Sequence, residues 1–343
     1  MMLERIKPIP DLVNEMLDQL PADVWTSNRT TFFDPAIGGG QFVSEIERRL
    51  QAHGHSDANI QKRVFGFEYS SALIDLAVNM NKLVGQYAKK PYDKYLELDN
   101  SMKFDVIVGN PPFQKSDNDA KRWTLWHQFV KKSFELSDCV AMVTPQSITS
   151  PGPFSMIKDK VDVINIDVSK HFDVGSTFCY FVARNKTQCN DAKLVTETEE
   201  FTHNVSNLPF LPFVINSKTL DQIKWLENRQ SRTWKRGELH TSNKNLFVDS
   251  GKYTVMHTNA QELRTDAEHP NLKKIRVCVS LSGYPKFQVI KNSYASQACM
   301  WTEFTTMKEA KEFAKECNGE YIQSILKIFK WSGWNSKEVI EYL

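Results

Sequence analysis

The chain has 343 residues, 41% of them hydrophobic and 24% charged, which is typical of a soluble globular protein with one large or two medium domains. No run approaches the ~20 apolar residues of a membrane span, and residues 1–10 lack the apolar core of a signal peptide. The six cysteines have neither the pairing nor the histidine spacing of a zinc site. We therefore expect a cytoplasmic protein without membrane association and without a bound metal.

Charge is unevenly distributed along the chain, although the net charge is only +2. Residues 201–343 contain 20 lysines and arginines against 14 aspartates and glutamates, a net charge of +6, so that residues 1–200 carry −4. An acidic first half and a basic second half suit a catalytic domain followed by a domain that binds a polyanion. Random scatter of surface charge is the alternative.

The first half of the chain alternates strand and helix patterns. Apolar runs that end in turn signals predict strands at 30–34, 63–68, 104–109, 139–144, 162–168 and 177–184. Apolar residues at helical spacing predict helices at 12–20, 41–52, 71–85 and 123–136. Strands separated by helices indicate an α/β fold, in which a parallel, Rossmann-like sheet carries helices on both faces. Ligands of such sheets bind at the carboxyl ends of the strands.

The pattern changes near residue 185. Residues 185–207 are polar and acidic and lead into a proline-containing apolar patch at 208–214, so we place the domain boundary there. A first domain at 1–190 and a smaller α+β domain at 200–343 are thus predicted. In the second domain, strands are predicted at 275–280 and 287–290, and helices at 306–317 and 321–330.

A glycine-rich turn joins the first strand to the following helix, in the sequence Asp34-Pro35-Ala36-Ile37-Gly38-Gly39-Gly40-Gln41-Phe42. Glycines at such a turn let the backbone approach a ligand closely. In a dinucleotide site they would face a pyrophosphate. An acidic residue at the strand end would repel phosphate, and it suits a cationic ligand such as S-adenosylmethionine. A glycine turn without a ligand is the alternative.

The second strand also ends in an acidic residue, Glu68. An acidic residue at this place typically accepts hydrogen bonds from both ribose hydroxyls of a nucleoside cofactor. Glu68 follows Asp34 by 34 residues, wider than the ~20 usual in dinucleotide folds, and the loop at 56–59 absorbs the difference. Together the two acids predict a nucleoside cofactor site, to which we also assign the neighbouring Tyr69.

The third motif is Asn110-Pro111-Pro112-Phe113, directly after the predicted strand at 104–109. The prolines stiffen the loop and remove its backbone donors. The Asn110 side-chain oxygen and the Pro111 carbonyl then remain as two acceptors, which suit a planar NH₂ group. Such bonds localise the lone pair of an adenine amino nitrogen, which can then attack a sulfonium methyl in line. Phe113 offers a face for a flipped base. A plain Pro-Pro loop is the alternative.

The order Asp-Pro-x-x-Gly-x-Gly-x-Phe, strand-end Glu, Asn-Pro-Pro-Phe and long tail resembles the gamma-group adenine-specific DNA methyltransferases of bacterial restriction–modification systems and phages. The resemblance covers roughly residues 6–185. It implies a site-specific enzyme that transfers a methyl group from S-adenosylmethionine to N6 of an adenine flipped from double-stranded DNA. It also implies a proline-containing element that closes over the methionine part of the cofactor, matched by Pro8-Ile9-Pro10-Asp11-Leu12-Val13.

Two further features of that family can be looked for in the chain. A strand ending in proline follows the catalytic loop, and 143–145 fits it. A later aromatic residue sandwiches the flipped base from its other side, for which Phe178 is the candidate and Phe172 the reserve. The family usually also has an acidic residue some ten positions before the catalytic-loop strand, bonded to the adenine of the cofactor. Lys94 occupies that place, and Asp93 substitutes after a shift of one residue.

Basic residues near aromatic residues are candidates for DNA contacts. The candidates are Lys115, Lys121, Arg122, Arg232, Lys235, Arg236, Lys273, Lys274 and Arg276. The residues after 200 are expected to contact phosphates from a target-recognition domain, and a solvated face is the alternative. Trp123 suits either the DNA cleft or a helix core, and Trp126 is predicted to lie in the core.

Enzymes with related chemistry are the main alternatives. Protein-glutamine methyltransferases also use an Asn-Pro-Pro loop, but usually with Tyr after it and with their extra domain before the cofactor motif. Here only about 30 residues precede Asp34. Methylation of RNA bases remains open, whereas cytosine methylation is less favoured because that group generally has Ser in place of Asn110. A DNA-binding homologue without catalysis is a further alternative, disfavoured by the intact Asp34, Glu68 and Asn110.

The expected cofactor is therefore S-adenosylmethionine, and the expected partner is double-stranded DNA. A cognate restriction endonuclease is a candidate protein partner, and we expect the chain to be a monomer.

Overall fold

The computed structural model describes residues 10–113, 125–172, 177–185 and 191–343, apart from 209, 217, 220, 221, 223, 226, 227, 229–231, 259, 260 and 331–334. The candidate residues Pro8, Ile9, Lys115, Lys121, Arg122 and Trp123 lie outside these ranges. The chain divides into two units between Phe210 and Leu211. Over the described ranges, no helix is long and apolar enough to cross a membrane.

A nine-stranded sheet forms the centre of the first unit. Its strands are β1 Phe32–Asp34, β2 Val64–Glu68, β3 Gln86–Lys89, β4 Phe104–Gly109, β5 Ser137–Pro145, β6 Val161–Asn165, β7 Phe178–Arg184, β8 Ala192–Val195 and β9 Glu200–His203. They lie in the order β3-β2-β1-β4-β5-β7-β6-β8-β9. The central strands are mostly apolar, because both faces of the sheet are covered. Val106, Ile107 and Val108 of β4, for example, are all buried.

Helices cover this sheet. Those described in the first unit are α1 Pro10–Asp18, α2 Asp23–Thr26, α3 Gln41–Ala52, α4 Asp57–Ile60, α5 Ser71–Asn81, α6 Tyr92–Leu96 and α7 Leu125–Leu136. Each predicted helix and strand of the first half has its counterpart within a few residues, and the predicted α/β fold is confirmed. Helix α5 is shorter than predicted because Lys82 leaves the helical region, with φ +52°. Trp126 is buried in the core, as predicted.

Two features of the sheet differ from the prediction. The sheet is mixed rather than parallel, because β7 runs antiparallel to both β5 and β6. Strand β3 was not predicted, and β8 and β9 extend the sheet past residue 190, with β8 paired to β6. The polar segment placed at the domain boundary thus contributes β8 and β9 at one end of the sheet, and the predicted domain bounds stay a prediction.

The second unit contains two small sheets. The four-stranded sheet has the order β10-β16-β13-β14, and the three-stranded sheet the order β12-β11-β15. Their strands are β10 Lys235–Arg236, β11 Tyr253–Thr258, β12 Gln261–Thr265, β13 Ile275–Ser280, β14 Phe287–Ile290, β15 Tyr294–Ala295 and β16 Cys299–Phe304. The helices described here are α8 Met307–Cys317, α9 Glu320–Ile328 and α10 Lys337–Ile340. Helix α8 begins with a capping box between Thr306 and Glu309.

Candidate active site

Asp34 ends β1 in the middle of the nine-stranded sheet and is buried, with 1% of its surface exposed. Its Oδ1 accepts a hydrogen bond of 2.9 Å from the Ala36 N–H, and its buried Oδ2 has no hydrogen-bond partner among the described residues. Burial raises the pKa of Asp34 to about 7, against the lowering effect of the Ala36 N–H and with a further increase from Glu68. A buried carboxylate without a counter-charge suits a cationic ligand.

Glu68, at the end of the adjacent strand β2, supports the glycine turn. Its Oε2 accepts a 3.0 Å hydrogen bond from the Gly38 N–H, and its Oε1 a 3.0 Å bond from the Ser70 N–H. A carboxylate has about four lone-pair sites, so these two bonds are compatible with the ribose contact, which stays a prediction. The two acids and the turn thus meet at the carboxyl edge of the sheet.

The turn packs closely against the helix that follows β2. Gly40 has φ +84°, and a Cβ there would lie 2.9 Å from the Ala77 Cβ of α5. A side chain at this position would collide with α5, which explains the need for glycine. Phe42, assigned to the cofactor from the sequence, is 3% exposed and packs in the hydrophobic core. Pro35 is buried and Ala36 half-buried in the same turn.

Gly109 brings the catalytic-loop motif against Asp34. A Cβ on Gly109 would lie 2.7 Å from Asp34 Oδ1 and 3.5 Å from Pro35 Cδ. Because β4 is the neighbour of β1, the loop that begins at Asn110 starts beside the buried carboxylate. The sequence interpretation did not single out Gly109. A glycine that ends the apolar run Val106-Ile107-Val108 immediately before Asn-Pro-Pro was the available signal.

The predicted aromatic residues also come together. Phe113 stacks on Phe178 with ring centroids 5.3 Å apart and planes 27° from parallel. Phe178 also contacts Phe172 at 4.8 Å. The pairing of β5 with β7 sets Phe178 opposite Pro145, so the catalytic loop reaches across the end of β5. In this structure the two rings face each other directly.

Tyr69 and Asp93 lie on the same side of the site as Glu68. Tyr69 is 58% exposed and stacks on Tyr92, with ring centroids 5.8 Å apart. Asp93 is exposed in the first turn of α6. Lys94, at the place where the family usually has an acid, forms an ion pair of 2.6 Å with Glu97. The sequence did not single out Tyr92, which the structure adds to this group.

Helix α1 is attached to the strands β6 and β7 through Glu15. Glu15 Oε1 accepts hydrogen bonds from the Asn165 amide and, at 2.8 Å, from the Tyr180 hydroxyl. Pro10, at the start of α1, lines a cleft of about 320 Å³ together with Gly39 and Gln41. Since none of Asp34, Glu68 and Asn110 lines this cleft, we take the three motifs rather than the cleft as the candidate active site.

The two basic clusters of the second unit converge on one sheet. Strand β16 pairs with both β10 and β13, so Lys235 and Lys274 both lie over the Trp301 ring, at 5.4 and 5.8 Å from its centroid. Lys274 also pairs with Glu303 at 2.8 Å. Arg236 and Lys273 are exposed.

Two arginines of these clusters have internal contacts. The guanidinium of Arg232 lies 4.7 Å from the Phe313 ring centroid. Arg276 is fully buried and forms a 3.0 Å ion pair with Glu238, so the predicted phosphate contact by Arg276 is wrong. Its position in β13 turns the side chain inward, although the residue lies in a basic stretch of the sequence. Among the described residues, no group of His, Cys, Asp or Glu side chains could hold a metal ion.

Parts of the sequence are similar to one protein family and to one curated protein. Residues 44–166 match the family described as Eco57I restriction-modification methylase, a range that includes Glu68 and Asn110 but neither Asp34 nor Phe178. A protein of Mycoplasma pneumoniae described as an uncharacterized adenine-specific methylase is 31% identical over 118 residues, 28% of this chain. The match also spans only 28% of that relative's length.

Solved structures with a similar fold include restriction–modification proteins. The type IIG restriction endonuclease BpuSI is 10% identical, with a TM-score of 0.46 over 97% of this chain and 57% of its own. The M protein of the type I restriction enzyme EcoKI is 16% identical, with a TM-score of 0.43 over 56% and 48% of the two chains. The chain thus spans about half the length of these proteins, and likenesses at this level carry no argument about function.

Proposed function

We propose that the chain is a site-specific DNA methyltransferase that transfers a methyl group from S-adenosylmethionine to N6 of an adenine flipped from double-stranded DNA. The observation that carries the proposal is the buried Asp34 carboxylate, which lies directly beside the start of the Asn-Pro-Pro-Phe loop. Its Oδ2 has no hydrogen-bond partner within the described ranges. The matches to a restriction-modification methylase family and to an adenine-specific methylase support the same conclusion.

The residues at the carboxyl edge fit the cofactor. In the described part of the chain, Asp34 has no lysine or arginine partner, and its free acceptor atom suits the cationic part of the cofactor. Glu68 suits the ribose, and Tyr69 with Asp93 suits the adenine at the same edge. S-adenosylmethionine supplies an electrophilic methyl group on a sulfonium when bound. The acidic residues contribute charge complementarity and orientation.

Asn110 and Pro111 act on the target base in this proposal. The Asn110 side-chain oxygen and the Pro111 carbonyl each accept one N6 hydrogen, which concentrates the nitrogen lone pair on the side away from the two acceptors. As the nitrogen formed its bond to the methyl carbon, the bond between that carbon and the sulfonium sulfur would break with its electron pair returning to sulfur, and one of the two N6 hydrogens would leave as a proton to water. Preorganised acceptors of this kind lower the barrier because they need no rearrangement during the reaction.

Phe113 and Phe178 hold the plane of the base. Because the two rings stack directly on each other, a base enters between them only when Phe113 moves away from Phe178. The stack covers apolar ring surface while no base is present, and the incoming base replaces one aromatic contact with two. Because the contacts with the base replace the contact between the two rings, the free-energy cost of moving Phe113 away from Phe178 is reduced.

The second unit is the proposed source of DNA affinity. Residues 211–343 contain all 20 lysines and arginines and all 14 acids counted after residue 200, a net charge of +6. Lys235, Arg236, Lys273 and Lys274 are the proposed phosphate contacts. The first unit is net acidic, so extrusion of a base against its stacking energy requires another part of the chain to hold the duplex. A restriction endonuclease is the proposed protein partner, and the proposed active form is a monomer.

Transfer of tritium from labelled S-adenosylmethionine tests the proposal. Duplex DNA, RNA and a protein extract are offered separately, and the product nucleoside is identified after digestion. Label in N6-methyladenine of DNA is expected. Asn110→Ala should lower single-turnover transfer by about 10²–10³, whereas the exposed Asn79→Ala of α5 serves as the matched control and keeps its activity. Label in RNA or protein alone, or full activity of Asn110→Ala, would contradict the proposal.

A further inference from the structure

The loop between β13 and β14, Leu281–Lys286, presents an exposed aromatic ring. Tyr284 is 61% exposed, while Leu281 on one side and Pro285 on the other are buried. Gly283 has φ +71°, and a Cβ there would meet nothing within 4 Å. The space around Gly283 would admit a side chain. Glycine is favoured here because of the positive φ that the loop requires.

Every carbonyl from 281 to 285 accepts a hydrogen bond. The Leu281 carbonyl accepts from the Asn335 N–H at 2.8 Å, and the Ser282 carbonyl from Ser280 Oγ at 3.0 Å. The Gly283 carbonyl accepts from Lys330 Nζ at 3.0 Å. The Tyr284 carbonyl accepts from the Lys286 N–H at 2.9 Å, and the Pro285 carbonyl from Gln323 Nε2 at 3.0 Å. Three of these donors belong to residues that lie at least 38 positions further along the chain. The loop is thus fixed by the fold around it.

A fixed loop with an exposed aromatic ring is suited to contact another molecule. Aromatic side chains bury much apolar area at a small cost in conformational entropy, and a preordered loop lowers that cost further. An exposed tyrosine adds little to the stability of the second unit itself. The bonds that hold the loop are therefore best understood as support for a contact residue.

The charge of the surrounding segment identifies the class of partner. Residues 211–300 contain 14 lysines and arginines against seven aspartates and glutamates, whereas residues 301–343 contain six against seven. The loop belongs to the basic segment, and its own Lys286 is exposed beside Tyr284. An aromatic ring next to a lysine in a strongly basic segment fits a nucleic acid, where the ring contacts bases and the ammonium a phosphate.

We propose that Leu281–Lys286 enters a groove of duplex DNA, with the Tyr284 ring against the bases and Lys286 at the backbone. This assignment rests on the proposed function, which supplies duplex DNA as the partner. It adds a base-contacting residue that lies on a loop separate from the basic clusters around Trp301. Tyr284 thereby becomes a determinant of DNA affinity and of the preferred site.

Fluorescence anisotropy with the full chain tests the loop. The probes are a 40-base-pair duplex from DNA that the wild type methylates and a mixed-sequence duplex of equal length. Tyr284→Ala should weaken binding of the first duplex about 5- to 150-fold, the range for loss of one aromatic–base contact. Tyr284→Phe should stay within about twofold, because the ring is retained. Tyr321→Ala, with 49% exposure on α9, is the matched control and should also stay within about twofold.

The outcomes separate this proposal from the proposed function. If the wild type methylates DNA and Tyr284→Ala binds the first duplex as tightly as the wild type does, the loop proposal alone is overturned. If the wild type methylates no DNA, the proposed function fails. The loop proposal is then tested by comparing the affinities of Tyr284→Ala and Tyr321→Ala for the mixed-sequence duplex. If Tyr284→Ala leaves DNA binding unchanged but no longer binds a protein chain that the wild type binds, the loop contacts a protein partner. That result also overturns the loop proposal. Equal melting temperatures of the variants exclude misfolding as the cause of a loss.

Discussion

Both units of the protein bury charged side chains, and Asp34 of the first unit and Arg276 of the second differ in how their charge is compensated. Asp34 in the first unit is 1% exposed, and in the part of the chain that the structure describes its Oδ2 has no hydrogen-bond partner. Arg276 in the second unit is fully buried. Arg276 pairs with Glu238 at 3.0 Å, donates to the Ser293 carbonyl and lies 5.0 Å from the Trp301 ring centroid.

A buried charge that stabilises the fold has an opposite charge supplied by the protein, whereas a buried charge in a ligand site does not. Burial alone does not distinguish the two. The protein supplies an anion to Arg276, so removal of that anion should damage the fold. No cation is supplied to Asp34 within the described ranges, so the protein bears the cost of burying its carboxylate until a ligand binds. The comparison therefore predicts opposite effects of mutation on stability in the two units.

The largest effect is expected from Glu238→Ala. Loss of the anion leaves the buried Arg276 guanidinium uncompensated, which should destabilise the second unit by about 3–5 kcal/mol. Glu303→Ala, which removes the exposed pair with Lys274, is the matched control and should cost no more than about 1 kcal/mol. Urea unfolding followed by tryptophan fluorescence measures both. Equal midpoints for the two variants would mean that Arg276 does not depend on Glu238.

Asp34→Asn should weaken cofactor binding by about 10- to 150-fold, the effect of losing a charged hydrogen-bond partner. Asparagine keeps an oxygen for the Ala36 N–H, so the change removes charge with little change of shape. In the wild type, affinity should fall as the pH drops below about 7, because the neutral acid no longer attracts a cation. Calorimetric titration with S-adenosylmethionine measures both effects, with the exposed Asp75→Asn as control. A dissociation constant that Asp34→Asn leaves unchanged would remove Asp34 from the cofactor site.

The same substitution should stabilise the ligand-free protein at high pH. Because the folded-state pKa of Asp34 is raised from 3.8 to about 7, its contribution to stability is fully present below 3.8 and lost as the pH rises through about 7. Asparagine does not ionise and keeps that contribution. Asp34→Asn should therefore melt a few degrees above the wild type at pH 8 and near it at pH 4. A variant that melts lower at pH 8 would mean that Asp34 is compensated within the fold.

A smaller effect is expected from Phe113→Ala. Loss of one stacking surface should cost about 1–3 kcal/mol of interaction with the target base, while the affinity for cofactor stays the same. Phe113→Trp keeps an aromatic face and should retain much of the activity. The KM for DNA and the cofactor dissociation constant are measured separately. An equal loss of both affinities would indicate a general disturbance of the edge rather than base stacking.

The smallest effects are expected from the exposed charges of the second unit. Lys235→Ala and Lys273→Ala should each weaken DNA binding on all sequences and reduce the slope of log affinity against log salt by about 1. Lys311→Ala on the exposed surface of α8 is the control. Gel-shift titrations at several salt concentrations measure the slopes. Slopes equal to that of the control would make the basic cluster an ordinary solvated face.

The sequence predicted the elements whose apolar pattern is strong. The strands Phe104–Gly109 and Ile275–Ser280 have the predicted bounds, because each contains a run of at least four consecutive buried residues. Strand β3 was missed since Gln86 and Lys89 at its ends are polar and exposed. The reversed direction of β7 was also missed, because hydrophobic alternation carries no information on strand direction.

The candidate site was predictable where one motif sufficed, and not where two distant segments meet. Asp34, Glu68 and Asn110 each follow a predicted strand, so their common edge could be inferred. The close approach of Gly109 to Asp34 depends on the adjacency of β1 and β4, which no local pattern contains. Arg276 was misassigned for a similar reason, because its partner Glu238 lies 38 residues away.

The attachment of α1 by Glu15 has a consequence for the order of folding during synthesis. The partners of Glu15, Asn165 and Tyr180, lie 150 and 165 residues later in the chain. At about 5–20 residues per second, the ribosome needs roughly ten to thirty seconds to make that length. Helix α1 can meet α3 early, but its polar attachment forms only after β7 has emerged. Helix α1 is thus synthesised well before β6 and β7 but secured only after them.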